Sequence, residues 1–84
     1  MMEGYEEKTA IPLDVLPRGC RAVVVGLDCA EETSQDLVRF GIVPGAVIEP
    51  VWVSLFGDPR AYRVEGSVVA LRNEEARRVL VAGS

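Results

Sequence analysis

The sequence predicts a mainly β protein: a small, strongly bent antiparallel barrel with one helix and a short helical turn near the C-terminus. Three observations carry this. Short β-rich runs recur, separated by turns that contain Gly or Pro. A single longer segment, residues 28–41, has helical patterning with start and stop signals. The chain has 84 residues, too few to cover the edges of a flat sheet, whereas closure into a barrel hides them. A domain of this size buries only ~60–65% of its unfolded surface, so its core is thin.

Taken in order, residues 1–10 carry Glu3, Glu6, Glu7 and Lys8 with little to bury, and read as a flexible tail. Residues 11–84 read as one domain. Leu13 and Leu16 are apolar anchors, and Pro17 and Gly19 set up a turn. "CRAVVVGL" is a strand, with Gly26 marking a bend near its end. In "DCAEETSQDLVRFG", Asp28 and Glu31 have capping-box spacing, and Glu31 and Glu32 suit the positive end of the helix dipole. Leu37 and Phe40 form an apolar edge, with Val38 beside it. Gly41 is placed to stop the helix in a left-handed conformation, so Gly41→Val is expected to unfold the domain. Pro44 and Gly45 then turn the chain into the longest strand, "AVIEPVWVSLF".

Pro50 cannot donate to a ladder, which assigns it to an edge or a bulge of that strand. Gly57, Asp58 and Pro59 make the next turn. "AYRVEG" alternates, with Tyr62 and Val64 inward and Arg63 and Glu65 outward. "SVVALR" is a further strand with Val69 and Leu71 on one face. Asn73 is the expected cap of a helical turn, "EEARR", and "VLVA" is the last strand.

The composition excludes several function classes. Hydrophobic residues are 49% and charged residues 26%, the balance of a folded protein. The net charge of −4 opposes nucleic acid as a partner, which disfavours an RNA-binding barrel. The N-terminus is acidic, without an apolar signal region, and no apolar run is long enough to insert in a membrane; the expected location is cytoplasmic. There is no histidine, which removes imidazole bases, Ser-His triads and histidine metal ligands. No phosphate-cradling glycine pattern occurs. An enzyme is not expected, nor is a cofactor. Cys20 and Cys29 lack any Cys-x-x-Cys spacing and read as free thiols, small and partly buried. Asp28, Glu31 and Glu32 offer at most a loose hold on a cation and are explained by a solvated helix start.

Partner binding is the stronger case. If Ile48, Pro50 and Trp52 face the core, then Val47, Val51, Val53 and Leu55 form an apolar stripe outside. The alternative is that the fold covers both faces. Trp52 itself reads as core or rim. The stripe and the adjacent helix end give Leu37, Phe40, Val47, Val51, Val53 and Leu55 as candidate partner-binding residues. The aromatics, one Trp, two Tyr and two Phe, are too scattered for a proline-rich-ligand groove.

The order and spacing of Gly19; Leu37, Gly41, Pro44 and Gly45; Gly57, Asp58 and Pro59; Gly66; Ala70, Leu71 and Arg72; and Glu75, Ala76 and Val81 resemble the small ferrous iron transport protein A family (FeoA-like). The resemblance runs from about Leu13 to Val81. It implies an SH3-like barrel, a module also found at the C-terminus of some metal-dependent repressors. It further implies an accessory role beside an FeoB-like membrane ferrous iron transporter with a cytoplasmic GTPase domain. A second reading is a metal-responsive module that binds a transition metal ion weakly through carboxylate or thiolate. The chain departs from the family pattern at Gln35, Asp36 and Arg39 on the helix, and at Pro50 where a β-former is usual.

Overall fold

The computed structural model describes residues 10–83. The expected tail therefore lies outside the described residues, except for Ala10. Six strands form one antiparallel sheet: β1 (Ile11–Pro12), β2 (Ala22–Leu27), β3 (Val47–Val53), β4 (Arg60–Val64), β5 (Ser67–Leu71) and β6 (Val79–Gly83). Their order in the sheet is β1-β6-β2-β3-β4-β5. A 3-10 turn (Leu13–Val15) follows β1, helix α1 (Glu31–Arg39) lies between β2 and β3, and the single turn α2 (Asn73–Ala76) joins β5 to β6. The predicted mainly β architecture, with one helix and a C-terminal helical turn, is the one observed.

One core serves the whole sheet. Leu13 and Leu16 from the N-terminal turn, Val24, Ile48, Tyr62 and Val81 from the strands, and Leu37 from α1 all belong to it. Tyr62 and Val64 point inward and Arg63 and Glu65 outward, as the alternation predicted. Gly26 does mark an irregularity, because the β2–β6 register shifts between Val24 and Gly26.

The end of α1 is a Schellman motif. The Ile42 N–H donates to the Leu37 carbonyl at 3.0 Å, and the Gly41 N–H donates to the Val38 carbonyl at 2.9 Å. The accompanying apolar contact is Leu37 with Ile42, both in the core. Gly41 has φ +86°, the left-handed conformation expected of it. The start of α1 corrects the sequence reading. Ala30, not Asp28, is the N-cap and gives no side-chain cap. The Asp28 N–H instead donates to the Arg78 carbonyl at 2.7 Å, which holds Asp28 at the end of the β2–β6 ladder.

The start of α2 is a second correction. Arg72, not Asn73, occupies the N-cap, and its N–H donates to the Glu75 carboxylate at 2.8 Å. Arg72 has no side-chain acceptor, so this is half of a capping box. Asn73 is bound from another loop. Its N–H donates to Asp58 Oδ1 at 2.9 Å, and its Nδ2 donates to the Gly57 carbonyl at 3.0 Å. The Gly57–Asp58–Pro59 turn is thereby tied to α2.

Pro50 sits at a bulge. The β3–β4 register shifts between Pro50 and Trp52, leaving Val51 as the extra residue. β2 pairs with β3 only at Ile48 and Val47, so Pro50 lies beyond that ladder and its missing N–H leaves no gap in it. Its carbonyl is used, accepting from the Gly19 N–H at 2.9 Å.

Arg60 ties β4 to the N-terminal turn. It begins β4, yet its guanidinium donates to the Asp14 carbonyl at 2.6 Å and the Leu16 carbonyl at 3.1 Å, in the turn that follows β1. β1 and β4 are far apart in sheet order, so this side chain joins parts of the barrel that the ladder does not. The guanidinium carbon also lies 5.7 Å from the Tyr62 ring centroid. The Tyr62 phenol is pushed above its usual range by burial, which the nearby Arg60 charge only partly opposes. Arg60 Nη1 and Nη2 donate to the two carbonyls, while Arg60 Nε and Tyr62 Oη have no hydrogen-bond partner among the described residues.

A Cβ on Gly41 would meet only Val64 Cγ1, at an ordinary 3.7 Å, so the strain of a substitution is in the backbone. Gly41→Val is expected to cost about 2–3 kcal/mol in urea unfolding, and Gly41→Asn, which tolerates the left-handed region, about 1 kcal/mol. Equal losses would show that packing, not φ, sets the requirement. Arg60→Leu leaves two part-buried carbonyls unpaired and is expected to cost about 2–4 kcal/mol by the same measurement. Arg60→Lys, a point donor, should recover only part of that loss.

Candidate partner-binding surface

The bulge at Val51 decides which apolar side chains reach the surface. Up to Pro50, strand alternation holds: Ile48 and Pro50 are buried, opposite Val64 and Tyr62 of β4. The extra residue then shifts the phase by one. Trp52 stands opposite Ala61 on the outer face and is 55% exposed, which corrects the expectation that it shares a face with Ile48 and Pro50. The uniform stripe expected from Val47 to Leu55 is broken in the same way, because Val51 is half-buried.

Among the described residues, the β3–β4 connection carries the most exposed large hydrophobic side chains. Leu55 is 92% exposed and Phe56 91%, with exposed Trp52 and Val53 leading into them. Large apolar groups so placed are costly to leave in water unless another surface covers them. The loop that presents them is held from both sides. The Gly57 N–H donates to the Ser54 carbonyl at 2.9 Å, and the Ser54 N–H donates to the Pro59 carbonyl at 3.2 Å. Together with the Asp58 and Gly57 bonds to Asn73, this makes the tip a braced projection.

The other candidates separate into two groups. Phe40 and Val47 are exposed near the turn that joins α1 to β3. They lie at the opposite end of β3 from Leu55, about 20 Å along the strand. Leu37 is 1% exposed and belongs to the core, so it supports the surface rather than forming it. The helix period explains this: Leu37 is the position of α1 that faces the sheet, while Val38 beside it stays exposed. Sequence reasoning missed Phe56, which it placed on the inner face. The strand ends at Val53, so Leu55 and Phe56 both lie in the turn, where alternation no longer assigns a face.

No metal centre emerges from the described residues. None of them form a group of three or more Cys, Asp or Glu side chains placed to hold an ion. Cys29 packs partly against the core, but Cys20 is exposed, contrary to the expectation that both are partly buried. Glu31, Glu32 and Asp28 are exposed at the start of α1.

The fold and surface describe an SH3-like barrel module with a projecting apolar hairpin tip. Residues 11–83 match the model of the FeoA domain family. The chain belongs to this family. Iron(II) transport protein A from Clostridium thermocellum is 33% identical, with a TM-score of 0.83; the match covers 87% of this chain and 45% of that one. The Stenotrophomonas maltophilia FeoA, a prokaryotic SH3 domain protein solved with zinc, is 32% identical with a TM-score of 0.72, over 82% of this chain and 86% of that one. A manganese-dependent transcriptional repressor shares the fold alone, at 16% identity and a TM-score of 0.80, over 89% of this chain and 42% of that one. No curated protein sequence matches the chain.

Proposed function

We propose that this protein is a cytoplasmic accessory and regulatory component of ferrous iron uptake. It acts by binding the cytoplasmic part of an FeoB-like membrane GTPase transporter. Membership of the FeoA domain family is the observation that carries the reading. The chain offers a binding surface rather than chemistry. It has no histidine, and the most exposed large hydrophobic side chains among the described residues are Leu55 and Phe56. No helix among the described residues is long and apolar enough to cross a membrane, so contact is proposed to occur through the transporter's cytoplasmic domain.

The hairpin tip is the proposed contact. Co-purification with the transporter's cytoplasmic domain, under reducing conditions and with or without nucleotide, tests the reading. The wild-type chain is expected to bind. Leu55→Ser with Phe56→Ser is expected to weaken binding at least about tenfold while changing stability by less than about 0.5 kcal/mol. Retained affinity in a folded double variant would move the contact to Phe40 and Val47. No affinity of the wild type under any condition would refute the reading.

Zinc in the Stenotrophomonas maltophilia structure favours a second reading, a metal-responsive module. Calorimetric titration with Fe²⁺ or Zn²⁺ separates the two. With no ligand group of three among the described residues, binding weaker than micromolar is expected. Micromolar affinity that disappears in a Cys20→Ser, Cys29→Ser double variant would support the second reading instead.

A further inference from the structure

The sheet has two edges, and they differ. The β1 edge is two residues long, Ile11 and Pro12, and Pro12 has no N–H to offer. The β5 edge is five residues long, Ser67–Leu71, with no Pro, Gly or charge among "SVVAL". Among the described residues β5 pairs with β4 only, and Val68 is 58% exposed. The usual protections of an edge strand, such as a lysine, a proline or a bulge, are missing from it.

The turn before β5 fixes which backbone groups are free. Glu65 (φ +50°) and Gly66 (φ +88°) form the two-residue loop between the paired residues Val64 and Ser67. Positive φ at both positions identifies the tight hairpin turn in which the flanking pair is hydrogen-bonded. Counting along the antiparallel ladder, Ser67, Val69 and Leu71 bond to β4. The N–H and C=O groups of Val68 and Ala70 therefore point away from the sheet.

We infer that β5 pairs with β5 of a second copy of this chain, antiparallel and centred on Val69. That register sets Val68 opposite Ala70 of the copy, and Ala70 opposite Val68 of the copy. Each is a hydrogen-bonded pair, and together they satisfy all four free groups of each strand. Val69 faces Val69 of the copy as the intervening non-bonded pair. Two further observations select this occupant. The outer-face row Trp52, Ala61, Ala70 continues onto Val68 of the copy, so the apolar surface is extended without a break. A head-to-tail chain would need a second open edge, and the β1 edge is too short and lacks a donor, so a closed two-fold pair remains. The interface is small, which places the pair among weak associations.

Sedimentation equilibrium of the full chain from about 10 µM to about 1 mM is expected to show the mass rising from monomer to dimer and no further. Ala70→Pro removes one edge N–H without touching the β4 ladder and is expected to stay monomeric throughout. Val68→Lys, which leaves every backbone bond in place, serves as the second variant should Ala70→Pro fail to fold, with the same expectation. Amide exchange of the unmodified chain reads the register directly: Val68 and Ala70 should exchange at least roughly tenfold more slowly at the high concentration than at the low one, with Val69 protected at both. A wild-type chain that stays monomeric, that forms larger species, or whose dimer survives in a folded edge variant would overturn the inference. So would exchange at Val68 and Ala70 that is independent of concentration.

Discussion

The fold depends on a charged side chain that ties β4 to the N-terminal turn beside a thin apolar core. Arg60 takes its place at the start of β4 and ends on the carbonyls of Asp14 and Leu16, beyond β1. A six-stranded sheet of such short strands cannot hold its two ends together through ladder bonds alone, because β1 contributes only two residues. Arg60 supplies a directional connection where the ladder gives none. It does so at the position where Tyr62 fills the core, and the raised Tyr62 ionisation is the electrostatic mark of that burial. Arginine suits the task because its planar fork serves two acceptors at once.

The same economy appears in the turns. Few residues are available for caps, so loops cap one another. Asp58 of the β3–β4 turn accepts from the first N–H of α2, and Asn73 returns a bond to Gly57. Helix α1 begins without a side-chain cap but ends in a complete Schellman motif, whose apolar pair, Leu37 and Ile42, is part of the core. The end of α1 is thus fixed by the tertiary packing that the barrel provides. This brace also explains how a loop with two nearly bare apolar side chains keeps a defined shape.

Two surfaces result, at different places on the barrel. The hairpin tip around Leu55 and Phe56 is apolar and projecting, suited to a pocket on a larger partner. The β5 edge is backbone-rich and self-complementary, suited to another strand. Trp52 lies between them in the outer-face row that begins at the bulge and runs toward β5. A contact at one surface leaves the backbone groups of the other free, so a paired chain could still present two tips.

By itself, the sequence determined the class of fold, the strand and helix segments, and the left-handed stop at Gly41. These follow from short-range chemistry: alternation, glycine at positive φ and proline without a donor. The family resemblance was legible for a related reason, since it rests on turn glycines and prolines whose spacing the barrel fixes. The tertiary structure alone decided the faces beyond Pro50. A single extra residue at Val51 turns Trp52 to the opposite face from Ile48 and Pro50, and whether a proline produces an edge or a bulge depends on where the neighbouring strand stops. The caps at Ala30 and Arg72 were likewise beyond the sequence. Asp28 and Asn73 were spoken for by the Arg78 carbonyl and by Asp58, partners 50 and 15 positions away in the chain. Local spacing registers a nearby acceptor, but not a competitor that only folding brings within reach.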